Sequence, residues 1–128
     1  MKLLLDTHAF IWWLADNPKL SRLAHAAIAD PGNEIFVSAA TAWELATKAR
    51  RGRLPEATQI VARFHELLTE QQFEPLAITP KHALLAGGMI GDHDDPFDRM
   101  IAAQAIAEGM AVVTIDAAIA TLGAAVKR

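Results

Sequence analysis

The sequence contains no cysteine. That removes a disulfide framework, thiolate-bound zinc and a thiol nucleophile together, and it fits a reducing compartment. No stretch approaches the roughly 18 apolar residues that a membrane span needs. Asp6 interrupts the opening Leu3-Leu4-Leu5 run, so the start does not read as a secretory signal. No His-x-x-x-His or His-x-His pair occurs, which argues against zinc chemistry. There is no repeat, no low-complexity tract and no linker. An excess of positive charge is missing too: the net charge is −3, where a nucleic-acid-binding surface is ordinarily basic. These absences together read as a soluble, cytoplasmic protein with no membrane association.

What is present suffices for one folded unit. The 128 residues are one domain's worth, spanning 1–128, and 52% of them are apolar, enough to bury a core unaided. The charge is segregated. Lys48, Arg50, Arg51 and Arg53 lie close together, as do Asp92, Asp94, Asp95 and Asp98. Such segregation permits an acidic pocket beside a basic rim; a solvated helix end and an acidic loop would look the same.

Strand and helix signals alternate along the chain. Leu3 to Leu5 are continuously apolar, as in a strand buried on both faces. Helices are expected over His8–Ala15, which Asn17-Pro18 breaks, and over Ser21–Asp30, with Ser21 as N-cap and Pro31-Gly32 as stop. Glu34 to Val37 predict a second strand. Ser38 is placed to cap a helix reaching about Arg51 and closed by Gly52. Pro55 suits the first turn of the next helix, in which Ile60, Val61, Phe64, Leu67 and Leu68 form the clearest amphipathic stripe. A third strand is expected at Phe73–Ile78 and a helix from Pro80 that fades at Gly87-Gly88. A further helix at Pro96–Glu108, closed by Gly109, leads to a strand at Met110–Ile115. A short helix from Ala117 and a weak strand near Ala124–Val126 follow. This alternation predicts an α/β fold: a parallel sheet covered on both faces, with ligands at the carboxyl ends of the strands.

Four acids attract attention: Asp6, Glu44, Asp98 and Asp116. Asp6 and Asp116 each follow an apolar strand, where a site is expected, yet either could simply cap a helix. Glu44 stands four residues before Lys48, as in a surface ion pair, but Ala42, Trp43 and Leu45 surround it with apolar bulk. Asp98 could be a favourable first-turn charge. Gathered in one crevice, four carboxylates would raise one another's pKa unless a cation balanced them. Hard oxygen ligands select Mg²⁺ or Mn²⁺.

Four blocks in order resemble a known family. They are Leu4-Leu5-Asp6-Thr7-His8; Ser38 to Lys48 followed by Gly52-Arg53-Leu54; His93-Asp94-Asp95-Pro96-Phe97-Asp98-Arg99 running on to Ala105; and Val113-Thr114-Ile115-Asp116. The chain resembles the PIN-domain ribonucleases, specifically the VapC-type toxins of bacterial toxin–antitoxin pairs, over nearly its whole length. The resemblance implies a PIN-like α/β/α sandwich with a central, mostly parallel sheet. It also implies a two-chain assembly and Mg²⁺-dependent RNA cleavage, with Mn²⁺ able to substitute. Matched by position, Asp6, Glu44, Asp98 and Asp116 correspond to the family's acidic quartet. Asp6 and Asp98 are then expected to hold the principal ion, with Asp116 as a direct or water-bridged ligand. Glu44 completes the shell or takes a proton from the attacking water. Thr7 and Thr114 adjoin acids and are candidates for orienting a ligand or water, and Lys48, Arg51 and Arg99 for gripping phosphates. His8 and His93 lie near acids and are candidates for touching substrate, with a plain surface role the stronger expectation for both. Trp12, Trp13 and Trp43 read as core or interface residues. Trp12, Trp13 and the stripe of residues 56–70 predict a homodimer, with a cognate antitoxin offering Arg or Lys to the carboxylates.

Two other α/β, Mg²⁺-binding classes fail on placement. A phospho-accepting receiver domain needs an aspartate after a middle strand, and none occurs between Asp30 and Asp92. A haloacid-dehalogenase-type phosphatase needs a second aspartate two positions after the first, where His8 stands. The remaining rival is a catalytically inactive PIN-like module that binds RNA or protein; a complete quartet argues against it.

Overall fold

The computed structural model describes residues 1–91 and 93–127; Asp92, of the acidic loop, and Arg128 lie outside the described residues. The elements run in chain order as β1 (Lys2–Leu5), α1 (Thr7–Leu14), α2 (Arg22–Ala29), β2 (Glu34–Ser38), α3 (Ala39–Arg50), α4 (Ala57–Ala62) and α5 (Phe64–Gln71). There follow β3 (Glu74–Leu76), α6 (Pro80–Gly88), α7 (Pro96–Glu108), β4 (Ala111–Val113), α8 (Ala117–Ala120) and β5 (Val126–Lys127). The five strands form one sheet in the order β3-β2-β1-β4-β5, every neighbouring pair parallel. The expected "mostly parallel" sheet is wholly parallel.

The continuous apolar run of β1 has its reason here. β1 is the central strand, so both of its faces are covered. Leu3 and Leu5 join Phe10, Val37, Leu45 and Phe73 in one core layer. Leu4, with the opposite side-chain direction, joins Ile101, Val112 and Ile119 in the other. Burying these side chains contributes about 1.5–3 kcal/mol each before entropic costs.

Helix boundaries follow local chemistry. Ser38 accepts the Ala40 amide at 2.9 Å and starts α3, while Gly52, at φ +67°, follows its end. Thr79 and His82 form a reciprocal capping box at α6, whose first residue is Pro80. Asp95 caps α7, Pro96 opens it, and Gly109 at φ +67° closes it.

Several expectations shift. The stripe of residues 56–70 is carried by two helices. The backbone turns at Arg63 (φ −120°, ψ 23°), whose guanidinium then pairs with Glu66 and Glu70 on α5. Hydrophobic periodicity reports the stripe, buried at Ile60 and Leu68, but not the bend beneath it. Pro55 precedes α4 rather than opening it. The third strand shrinks to Glu74–Leu76, because β3 is an edge strand with partners only at Phe36 to Ser38; Pro75 is tolerated at such an edge. β4 is likewise shorter than expected, and β5 lies slightly further along than expected.

Trp12 and Trp13 are half-buried against the core, and Trp13 donates its indole N–H to Gln71 at 2.9 Å. Trp43 is instead 61% exposed, edge-on to Phe97. The most exposed large apolar side chains are Ile90 at 95% and Leu84 at 78%, so the free apolar surface does not lie at the tryptophans of α1. No helix among the described residues is long and apolar enough to cross a membrane.

Candidate metal centre

The chain leaves the central strand β1 toward β2 on one side, and β4 occupies the other, so a crevice opens between the carboxyl ends of β1 and β4. Asp6 is the first residue beyond β1, and its amide extends the ladder to the Val113 carbonyl at 3.1 Å. Asp116 lies three residues beyond β4. The fold thus delivers two of the four acids to the switch point of the sheet.

Asp6 is buried, and one oxygen, Oδ1, accepts the Ala9 amide at 2.7 Å as the cap of α1. Asp116 caps α8 in the same way, Oδ1 accepting from Ala118 at 2.9 Å. Capping and ligation are therefore not alternatives: a carboxylate spends one oxygen on the helix and keeps the other. Asp98 sits at the third position of α7, with Oδ2 2.8 Å from His93 Nε2. His93, Asp98 and Asp116 offer ligand atoms that all lie within 4.8 Å of one another.

Burial pushes the Asp6 carboxyl above its ordinary pKa, and the Asp98 charge adds to the rise. The Thr114 hydroxyl, the Ala9 amide and His8 oppose it. Burial likewise raises Asp98, helped by the charges of Asp95 and Glu44 and opposed by His93. The charge of Asp98 acts on Asp6 and that of Glu44 on Asp98, but the close cluster of ligand atoms among the described residues is His93, Asp98 and Asp116, without Asp6 or Glu44. Two desolvated acids that resist ionisation side by side, with oxygen donors from three elements, suit a hard divalent cation, which relieves the repulsion. The donor set fits Mg²⁺ or Mn²⁺.

Glu44 is buried and fully partnered. Thr7 donates its hydroxyl to Oε1 at 2.6 Å, and Lys48 donates to Oε2 at 2.7 Å. Thr41 stands behind, 3.2 Å from the Thr7 hydroxyl. The threonines and basic residues named from the sequence have these partners. Thr7 and Thr114, expected to orient a ligand or water, are buried beside acids: Thr7 holds Glu44, and Thr114 accepts the Asp116 amide at 2.9 Å while its hydroxyl acts on Asp6. Lys48 is committed to Glu44. Arg99 does not present its guanidinium as a phosphate grip, because it donates to the carbonyls of Ala86, Met89 and His93 and ties the α6–α7 loop. Arg51, together with Arg50 and Arg53, remains exposed at the end of α3.

Sequence reasoning undervalued one residue and passed over another. His93, expected on the surface, is three-quarters buried against Asp98. Its signal was a histidine inside an acid-rich loop. Gln104, fully buried, accepts the Ser38 hydroxyl and donates to the Ala77 carbonyl at 3.3 Å, stitching α7 to the end of β2. An amide in an otherwise apolar helix face was the available clue.

The pattern of the PIN domain family matches residues 3–124. The chain belongs to the PIN-domain family. Within that family it is 34% identical over 114 residues to ribonuclease VapC22 of Mycobacterium tuberculosis, covering 88% of this chain and 85% of that one. Solved structures repeat the PIN fold. The VapBC2 complex of Rickettsia felis, bound to a DNA fragment from its promoter, contains a chain that superposes with TM-score 0.69 at 18% identity, covering 99% of this chain and 98% of that one. VapBC-5 of M. tuberculosis superposes with TM-score 0.64 at 22% identity, over 98% and 95% of the two chains. With the family established, the doubly wound sheet and the place of its crevice are those of a VapC-type PIN domain.

Proposed function

We propose that this PIN domain is a Mg²⁺-dependent endoribonuclease acting as the toxin of a toxin–antitoxin pair, with Mn²⁺ able to substitute. The observation that supports the reading is the approach of Asp98 and Asp116 to each other at the carboxyl side of the sheet, with the buried Asp6 and Glu44 near enough for charge to be felt between Asp98 and each of them. The 34% identity to a curated VapC ribonuclease supports the choice of RNA as substrate.

Asp6, Asp98 and Asp116 would hold the ion. When bound, it supplies Lewis-acid polarisation of the phosphodiester and a more acidic water. Glu44, held by Lys48 and Thr7, would either complete the shell of the ion or accept the proton of an attacking water. In-line attack would form the new P–O bond and break the bond to the ribose 3′ oxygen, which takes up a proton from solvent, leaving a 5′-phosphate and a 3′-hydroxyl. The exposed Arg50, Arg51 and Arg53 provide a basic edge for flanking phosphates.

The partners follow from the relatives. A cognate antitoxin would cover the acidic crevice with Arg or Lys, and a two-chain assembly would bury the exposed Leu84 and Ile90. Light scattering at micromolar concentration should find a dimer; a stable monomer would end the assembly claim. Induced expression in a bacterial host should arrest growth, and Asp98→Asn should not. Unhindered growth with the wild-type protein folded and abundant would contradict the toxin reading. An inactive binding module remains the rival; it would arrest no growth through RNA cleavage and would not need Asp98.

A further inference from the structure

His93 is not one of the four acids, yet it is built into their site. Its Nε2 stands 2.8 Å from Asp98 Oδ2, and its ring nitrogen falls in the same 4.8 Å cluster as the carboxylates of Asp98 and Asp116. Ligands on opposite sides of a small divalent ion, bonded at about 2.1 Å, are about 4.2 Å apart. The three side chains could therefore close on one ion with only small rotations. The placement of His93 is also fixed from behind. Arg99 donates to the His93 carbonyl at 3.0 Å and to the Met89 carbonyl in the loop, and to the Ala86 carbonyl of α6, tying these loop residues to the helix. The ring borders an open recess of about 450 Å³, shared with Gly91, Ala118 and Thr121, so water and ions reach it.

We infer that His93 contributes an imidazole nitrogen to the cation site, and that this nitrogen tilts the site toward Mn²⁺ and other transition-metal ions over Mg²⁺. The inference rests on the metal-site reading above and adds to it a ligand and a selectivity. The chemical reason is ligand softness. Carboxylate and water oxygens suit Mg²⁺ and Mn²⁺ alike, whereas a nitrogen ligand favours the first-row transition ions, a series in which Mn²⁺ stands at the weak end and to which Mg²⁺ does not belong. A purely oxygen site would lack this nitrogen-dependent bias. The alternative for His93 is a hydrogen bond to Asp98 that only orients the carboxylate, as groups behind metal ligands do; such a bond would favour both ions alike.

The test is electron spin-echo modulation of Mn²⁺ bound to the full chain, with Mn²⁺ and Mg²⁺ affinities measured by calorimetry on wild type and His93→Gln. Because Arg99 holds the His93 backbone rather than its ring, the substitution should keep the loop, and melting in EDTA checks that it does. The expected result is coupling to a directly bonded imidazole nitrogen in wild type, lost in His93→Gln. Mn²⁺ affinity should fall about tenfold and Mg²⁺ affinity should barely change. Bound Mn²⁺ without nitrogen coupling in wild type, or an equal fall in both affinities, overturns the ligand assignment while leaving the carboxylate site standing. Absence of any Mn²⁺ or Mg²⁺ binding overturns the metal site itself, and this inference with it.

Discussion

Asp95 and Asp98 stand one helical turn apart and face different partners. Asp95 Oδ1 accepts the amide of Phe97 at 2.9 Å and is shared more weakly with that of Asp98 at 3.4 Å, capping α7 outside the crevice. Asp98 needs no cap and points its carboxylate at His93. The reason lies between them: Pro96, without an N–H, is best tolerated at the first helical position, which makes Asp95 the cap and Asp98 the third residue.

That division predicts separable effects. Asp95→Asn should keep fold and activity, since Asn caps nearly as well. Asp95→Ala should cost about 0.5–2 kcal/mol of stability. Asp98→Asn should abolish RNA cleavage with the fold intact. Melting curves and cleavage assays on the three variants check this, and an active Asp98→Asn beside a dead, folded Asp95→Asn would reverse the assignment.

The raised pKa values of Asp6 and Asp98 set a pH dependence. Both carboxyls hold protons more tightly folded than unfolded. Between the ordinary carboxylate pKa and the raised one, the native state therefore carries more protons. Their contribution to metal-free stability falls as pH rises through that window and returns on acidification. A bound cation offsets the loss, so Mg²⁺ should raise Tm more near pH 7 than near pH 5. In EDTA, Asp98→Asn should show a shallower fall with pH than wild type and be at least as stable near pH 7. Identical slopes in the two proteins would remove Asp98 from this linkage.

Glu44 depends on its two donors. Lys48→Met should cost about 1–3 kcal/mol by leaving one oxygen of a buried carboxylate without its partner. Thr7→Val should lower kcat, and Thr7→Ser should restore it, because only the hydroxyl that holds Oε1 is at issue. Equal activity in Thr7→Val and wild type would show that Glu44 is held well enough without it.

Phosphate contact belongs to the exposed end of α3. Neutralising Arg51 or Arg53 should weaken RNA binding across sequences and reduce the salt slope by about one unit. Arg99→Gln should instead disturb the α6–α7 loop and leave the slope alone, since its donors face carbonyls. A slope change in Arg99→Gln matching that of Arg51→Gln would restore Arg99 to the phosphates.

What could be read from the sequence was local or periodic. The cap at Ser38, the helix start at Pro96, the stop at Gly109 and the two-faced burial of β1 each depend on a few neighbouring residues, and each lies where expected. The acids beyond β1 and β4 were legible because strand ends are where a parallel sheet opens a crevice. What escaped depends on distance in space. Thr7 meets Glu44 across 37 positions, and Ser38 meets Gln104 across 66. The place of His93 depends on a loop path fixed by Arg99, and no spacing rule carries that information. The bend at Arg63 escaped because two short helices can share one stripe.

The most direct test is a map of RNA ends. Cellular RNA is incubated with the purified chain in Mg²⁺, in EDTA, and with Asp98→Asn in Mg²⁺, and new 5′-phosphate ends are captured by ligation and sequenced. Discrete new 5′-phosphates, paired with 3′-hydroxyls, should appear in the first reaction alone. Equal cleavage in EDTA or by Asp98→Asn, ends bearing cyclic phosphates, or no new ends from a folded, Mg²⁺-bound protein would contradict the proposed activity.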